Sequence, residues 1–256
     1  MGYDYMTDLL KIIDLSKYFF KDNDRVKVLN KVNFNVKKGE FLSIVGPSGC
    51  GKSTLLGLIG GFDKYNEGKI LLNGRGIFKP NPNRLMVFQD FNQLFSWKTV
   101  LKNILFPLNL NKRNMSQSNR IKQAKHYLKL VGLEGYEDYY PHELSGGMKQ
   151  RVAIARALAM KPEILLMDEP FGSVDVHTKD ELQNILIELW KEIDATVIFV
   201  THDIKESIIL SDRIIVMGQS PNSIKDIIFN NLNRPRDTFS KDFIKKTEEI
   251  YTKVKE

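Results

Sequence analysis

The chain has 256 residues, 42% hydrophobic and 27% charged, which suits one large or two small domains with a real core and excludes a mainly disordered state. No apolar run reaches the roughly 18 uncharged residues of a bilayer span, and the opening MGYDYMTDLL lacks the cationic flank and apolar block of a secretion signal, so an intracellular protein, soluble or peripheral, is expected. The formal net charge of +7 ranks anionic partners such as nucleic acid, a membrane face or a phosphorylated ligand without choosing among them.

In chain order, LLKIIDLSKYFF, VLNKVNFNVKKGE and KILLNGRGI alternate between apolar and polar residues, and Asn73-Gly74 is a hairpin signal, so an antiparallel β layer is expected first. EFLSIVG (40–46) is a near-continuous apolar strand, the kind buried on both faces of a parallel sheet. Between about residues 97 and 160 strand signals vanish, while Ile121, Ala124, Leu128 and Val131 recur at helical spacing before a C-cap at Gly132, which predicts an inserted helical subdomain. EILLMDE (163–169), TVIFVTH (196–202) and RIIVMG (213–218) are again buried-strand runs. The expected fold is α/β, a single domain with its core at about 1–90 and 161–220, a helical subdomain at about 91–160 and a short tail at about 221–256.

After the strand at 40–46 comes GPSGCGKST, and Gly46, Gly51, Lys52 and Ser53 meet the pattern G-x-x-x-x-G-K-[ST]. A Gly-rich turn between a buried strand and a helix aims backbone N–H groups and the helix dipole at one point, so Gly46, Pro47, Ser48, Gly49, Cys50, Gly51, Lys52, Ser53 and Thr54 form a candidate phosphate cradle. Lys52 would reach the β and γ phosphates of a nucleotide, and Ser53 would offer its hydroxyl to Mg²⁺; the plainer alternative is a solvated lysine on a turn. ILLMDE supplies the carboxylate such a metal needs, Asp168 at the carboxyl edge of the sheet, with Glu169 facing an attacking water. The only cysteine, Cys50, lies near Lys52 and a helix N-terminus, surroundings that lower a thiol pKa, and is read as a small filler. His126, His142, His177 and His202 show no metal-ligand spacing with it.

LSGGMKQR (144–151) places Ser145, Gly146 and Gly147 at the start of an amphipathic helix whose Met148, Val152 and Ala155 form an apolar stripe, a second anion site. The cradle already holds the phosphates, so the economical arrangement is a dimer in which this segment of one subunit closes over the nucleotide of the other.

With these motifs in order, plus Gln89 after LMVFQD, Asp175 in SVD and His202 in VTHD, the chain resembles the ATP-binding subunit of an ABC transporter over nearly its whole length. The resemblance implies a P-loop ATPase core, ATP and Mg²⁺ as ligands, Gln89 touching metal and water, His202 bonding the γ phosphate, Asp175 beside the nucleotide, and Phe19 stacking on adenine, with Tyr18 and Phe20 as rival aromatics. It also implies a second ATPase subunit, transmembrane permease subunits, indirectly an extracytoplasmic solute-binding protein, and a place on the cytoplasmic face of the membrane, with no nucleic acid expected. VGLEGYEDYYPHELSGGMKQRVAIARAL, FVTHDIKESIILSDRIIVM and NRPRD are similar to the importer group serving nitrate, sulfonates and taurine, although FGSVD (Ser173-Val174) and FNQLFSW depart from its usual wording. The alternative, an ABC-type ATPase of DNA repair, chromosome maintenance or translation, typically needs heptad arms, zinc inserts or tandem cassettes, which this sequence lacks. Phe91, Leu94, Phe95 and Trp97, just beyond Gln89, are either core of the helical subdomain or, if exposed, an aromatic anchor for a permease helix.

Overall fold

The computed structural model describes residues 8–21, 24–90, 93–111, 114–172, 174–219 and 223–255. Phe91 and Ser173 lie outside the described residues. In chain order the first elements are β1 (Asp8–Lys21), β2 (Asp24–Lys37), β3 (Phe41–Val45), α1 (Lys52–Gly60), β4 (Glu67–Leu72), β5 (Arg75–Gly76) and β6 (Arg84–Val87). There follow α2 (Val100–Asn111), α3 (Gln117–Leu130), α4 (Gly146–Leu158), β7 (Ile164–Asp168), α5 (Val176–Ile193), β8 (Thr196–Thr201), α6 (Ile204–Leu210), β9 (Arg213–Met217), β10 (Ile224–Phe229) and α7 (Lys241–Lys255). The chain divides into two compact units, 1–81 with 196–256, and 82–195.

In the first unit an antiparallel sheet runs in the order β2-β1-β4-β5. Asn73 and Gly74, at φ 48° and 74°, make its last hairpin, because a two-residue turn that matches strand twist needs both central residues left-handed. The long β1–β2 ribbon is interrupted where Asp14 and Lys31 take positive φ. There Asn33 repairs the ladder: its Oδ1 accepts from the Asp14 N–H and its Nδ2 donates to the Asp14 carboxylate, each at 2.9 Å.

The same unit holds strands in the order β10-β9-β3-β8, with β3 parallel to both β8 and β9 and β10 antiparallel to β9. Every residue of β3, β8 and β9 is buried, so no polar alternation is permitted and their sequences read as near-continuous apolar runs, broken only by the buried Ser43, Thr196, Thr201 and Arg213. Val45, Ile208, Ile214, Val216 and Ile228 form a core that Phe243 and Ile250 of α7 close, each such side chain contributing roughly 1.5–3 kcal/mol by burial. Val45 is level with Thr201 on one side and Val216 on the other, so Gly46 and His202 leave the sheet at the same carboxyl edge.

In the second unit β6 and β7 pair in parallel with Val87 level with Met167, and α2, α3 and α4 pack on one another. Helix α3 starts at its cap Ser116, buries Ala124, Tyr127 and Leu128, and ends as Gly132 turns left-handed at φ 70°. In α2 the fully buried Asn103 organises the preceding loop: its amide donates to the carbonyls of Phe95, Lys98 and Thr99 and its oxygen accepts from the Phe95 N–H.

Candidate functional site

In the first unit the loop from β3 to α1 is curled tightly. A Cβ on Gly46 would lie 2.4 Å from the carbonyl oxygen of Met217, so only glycine lets the chain leave the sheet here. Gly51, left-handed at φ 101°, then turns the chain into α1 with no side-chain cap. Ser48, Gly49 and Ser53 are exposed, Pro47 and Thr54 half-buried, and Cys50 and Lys52 buried. The Lys52 ammonium donates to the carbonyls of Gly46 at 2.9 Å and Pro47 at 3.0 Å, which places it inside the curl and holds the loop in shape.

His202 is exposed directly after β8. Among the three aromatics of β1, Tyr18 is buried beneath the Arg25 guanidinium, 3.4 Å from its ring centre, while Phe20 is 76% exposed. Phe19 is 43% exposed, and the ammonium of the buried Lys17 lies 4.8 Å from its ring centre. Lys17 is fixed by the Lys64 carbonyl at 2.6 Å and the Asp63 carboxylate at 2.8 Å, and this ion pair holds Asp63 below its ordinary pKa.

The second unit brings Gln89, Asp168 and Glu169 together at the carboxyl edge of β6 and β7. Gln89 and Glu169 each lie two residues beyond the paired Val87 and Met167, and a Cβ on Gly172 would lie 2.9 Å from the Gln89 Nε2. Glu169 is left-handed at φ 43°, a conformation that costs a non-glycine residue roughly 1 kcal/mol and is held by the Gly172 N–H bonding back to its carbonyl at 3.0 Å. Ser145 caps α4 by accepting from the Met148 N–H, and Asp175 caps α5 by accepting from the Thr178 N–H and hydroxyl at 3.1 and 2.7 Å. A Cβ on Gly147 would come within 2.4 Å of the Thr178 methyl carbon, so the small residue is what lets α4 approach α5. Thr178 therefore packs against Gly147 and bonds the cap at Asp175.

The model of the family described as ABC transporter matches residues 29–172. The chain belongs to the ABC transporter family. An ABC transporter ATP-binding protein of Methanocaldococcus jannaschii is 47% identical over 99% of this chain and 94% of its own length. The aliphatic sulfonates import ATP-binding protein of Bacillus anthracis is 44% identical (96% and 94%), and the nitrate import ATP-binding protein of Synechocystis is 42% identical (90% and 85%). The dimeric structure of a bacterial ABC transporter cassette aligns at TM-score 0.78 with 36% identity over 87% of this chain and 99% of that one. A post-hydrolysis state of that cassette bound to ADP and Pi gives 0.74 with 34% identity over the same shares. The chain is thus an ABC-type ATPase with the P-loop α/β fold, and it binds ATP. None of its described helices is long and apolar enough to cross a membrane.

One sequence expectation for this ABC ATPase needs correction, and a second, left open between core and anchor, is divided residue by residue. Cys50 is only 2% exposed, and that burial pushes its thiol above the ordinary value by more than Lys52 and the neighbouring N–H groups pull it down. Of the candidate anchors, Leu94 is buried and Phe95 half-buried, which leaves Trp97, at 71% exposure, as the described residue open to a partner. Asn103, Thr178 and Arg156, which donates to the Gln93 carbonyl at 2.9 Å, carried no sequence signal, because each works through tertiary contacts.

Proposed function

We propose that this ATPase powers an ABC importer for a small anion, with sulfonate-like and nitrate-like solutes the favoured class, from the cytoplasmic face of the membrane. The likeness to sulfonate and nitrate import proteins over most of the chain supports the solute class. The partners in this reading are a second copy of the chain, permease subunits and, through them, an extracytoplasmic solute-binding protein.

The observation that carries the mechanism is the grouping of Gln89, Asp168 and Glu169 at one strand edge. The cradle and the α1 N-terminus bind the phosphates through backbone N–H groups and the helix dipole, and Lys52 turns from the loop carbonyls to the charge building on the β and γ phosphates. Ser53, Gln89 and Asp168 offer hydroxyl, amide and carboxylate oxygens, the hard donors that suit Mg²⁺, and the metal when bound would neutralise phosphate charge. Glu169 orients the attacking water and His202 donates to the γ phosphate. Phe19 stacks on adenine, Ser145, Gly146 and Gly147 bind the nucleotide of the opposite copy, and Asp175 lies beside it.

Two variants in the assembled transporter test the reading. Lys52→Ala should lose roughly 10²- to 10³-fold in turnover. Glu169→Gln should bind MgATP, fail to cleave it and accumulate as a dimer in size-exclusion chromatography. Wild-type turnover in Lys52→Ala, or a Glu169→Gln subunit that stays monomeric with MgATP at micromolar protein, would overturn it.

A further inference from the structure

A helix leaves its last four carbonyls without partners inside the helix. In α6, which begins two residues after His202, side chains from outside the helix supply a donor to each of them. The Ser207 carbonyl accepts from the N–H and hydroxyl of Ser211. The Ile208 carbonyl accepts from the Asn230 amide at 2.8 Å and from Arg236 Nη1 at 2.6 Å, the Ile209 carbonyl from the same Arg236 atom at 2.9 Å, and the Leu210 carbonyl from Arg234 Nη2. Arg236 also donates through Nε to the Leu232 carbonyl at 3.0 Å, which folds residues 232–236 back on themselves. Arg234 pairs with Asp212, whose other carboxylate oxygen accepts from the Phe41 N–H at 3.0 Å, so the clasp is tied to the first residue of β3. Burial lowers Arg236 to about 10, which leaves it charged at neutral pH, and two cations at a helix C-terminus suit its dipole.

The other end of α6 is tied to the residues flanking His202. The Asp203 carboxylate accepts from the N–H groups of Lys205 at 2.9 Å and Glu206 at 3.3 Å. Glu206, 4% exposed, accepts from the Thr201 hydroxyl at 2.6 Å, and that hydroxyl oxygen accepts from the Asp203 N–H at 3.0 Å. The seven-residue helix is therefore a short strut, about 10 Å long, gripped at both ends.

We infer that Arg234 and Arg236 are positioning residues for hydrolysis, holding α6 by its C-terminal carbonyls and so fixing where His202 presents its ring. This rests on the reading of His202 as the γ-phosphate contact. The test is a double-mutant cycle in the assembled transporter, combining Arg236→Lys, which keeps charge and stem but loses the fork, with His202→Ala. Arg234→Lys serves as a second variant, and single-turnover hydrolysis, MgATP affinity and thermal melting are read for each. The expected result is a kcat lowered roughly 10- to 100-fold at unchanged ATP affinity, the scale of a small misplacement, with no further loss when Arg236→Lys is added to His202→Ala. In folded Arg236→Lys subunits, the His202 ring signals in nitrogen-15 spectra should also lose their MgATP-induced shift. Wild-type turnover in His202→Ala would remove the reading of His202 itself. A defective His202→Ala with wild-type kcat in both arginine variants, or a loss that adds fully to that of His202→Ala, would overturn the positioning role.

Discussion

Reactivity at Cys50 is decided by the packing behind the loop more than by the charges in front of it. Lys52 and the backbone N–H groups favour the thiolate, but the 2% exposure of the side chain disfavours it more, and the folded thiol titrates above the ordinary value of 9.0. Maleimide attacks the thiolate, so at pH 7.5 the folded protein should label far more slowly than the urea-unfolded chain, and at the same slow rate with and without MgATP. The native rate should rise only as pH climbs past the ordinary thiol range. Mass spectrometry of labelled samples reads this directly; native labelling as fast as unfolded labelling at pH 7.5 would contradict the burial. Local charge was visible in GPSGCGKST and packing was not, so the sequence placed Cys50 correctly and misjudged its titration. Phe19 shows the converse: alternation could not separate it from Tyr18 and Phe20, whereas the Arg25 guanidinium over Tyr18 removes that rival.

Elements buried on both faces were the most legible in the sequence, because such burial favours a near-continuous apolar run: β3, β7, β8 and β9 all lie within one residue of the runs at 40–46, 163–169, 196–202 and 213–218. Less legible were β10 and α7, whose polar outer faces hide the Ile228, Phe243 and Ile250 that join the core. The clasp on α6 was not legible as a clasp: NRPRD reads only as a family likeness, because the bonds from Asn230, Arg234 and Arg236 to the helix carbonyls span 22 to 28 residues. At α4 a capping residue and a proposed ligand coincide in Ser145, and the two roles separate experimentally. Replacing a serine cap by glycine costs a helix only about a few tenths of a kcal/mol, so Ser145→Gly should melt within a degree or two of wild type. Hydrolysis in the assembled transporter should nevertheless fall at least about tenfold with the lost hydroxyl. A melting loss in proportion to the activity loss would mean that Ser145 serves the helix alone.

A transporter ATPase must pass its nucleotide state to a membrane partner, and the second unit carries a surface suited to that. Just beyond Gln89, a cleft of about 290 Å³ is lined by Phe95, Phe106 and Pro107 on one side and by Ala153 and Arg156 of α4 on the other. Phe95 packs edge-on to Phe106 at 4.7 Å and tilts against Trp97 at 5.3 Å, while Asn103 fixes the backbone that presents both rings. Trp97, 71% exposed beside the cleft residue Phe95, contributes little to the core, and we propose it as an anchor for a short permease helix that lies along the cleft. Trp97→Ser should therefore leave melting and the MgATP-dependent dimer intact. Loss of a central aromatic anchor costs roughly 2 kcal/mol or more, so co-purification of the permease subunits should drop about thirtyfold, and residual hydrolysis should no longer drive transport. Phe95→Ser, which also removes a packed ring from beside Arg156, should give the same uncoupling with an added fall in stability. Permease capture and transport at wild-type levels in Trp97→Ser would move the docking site to another surface of the unit.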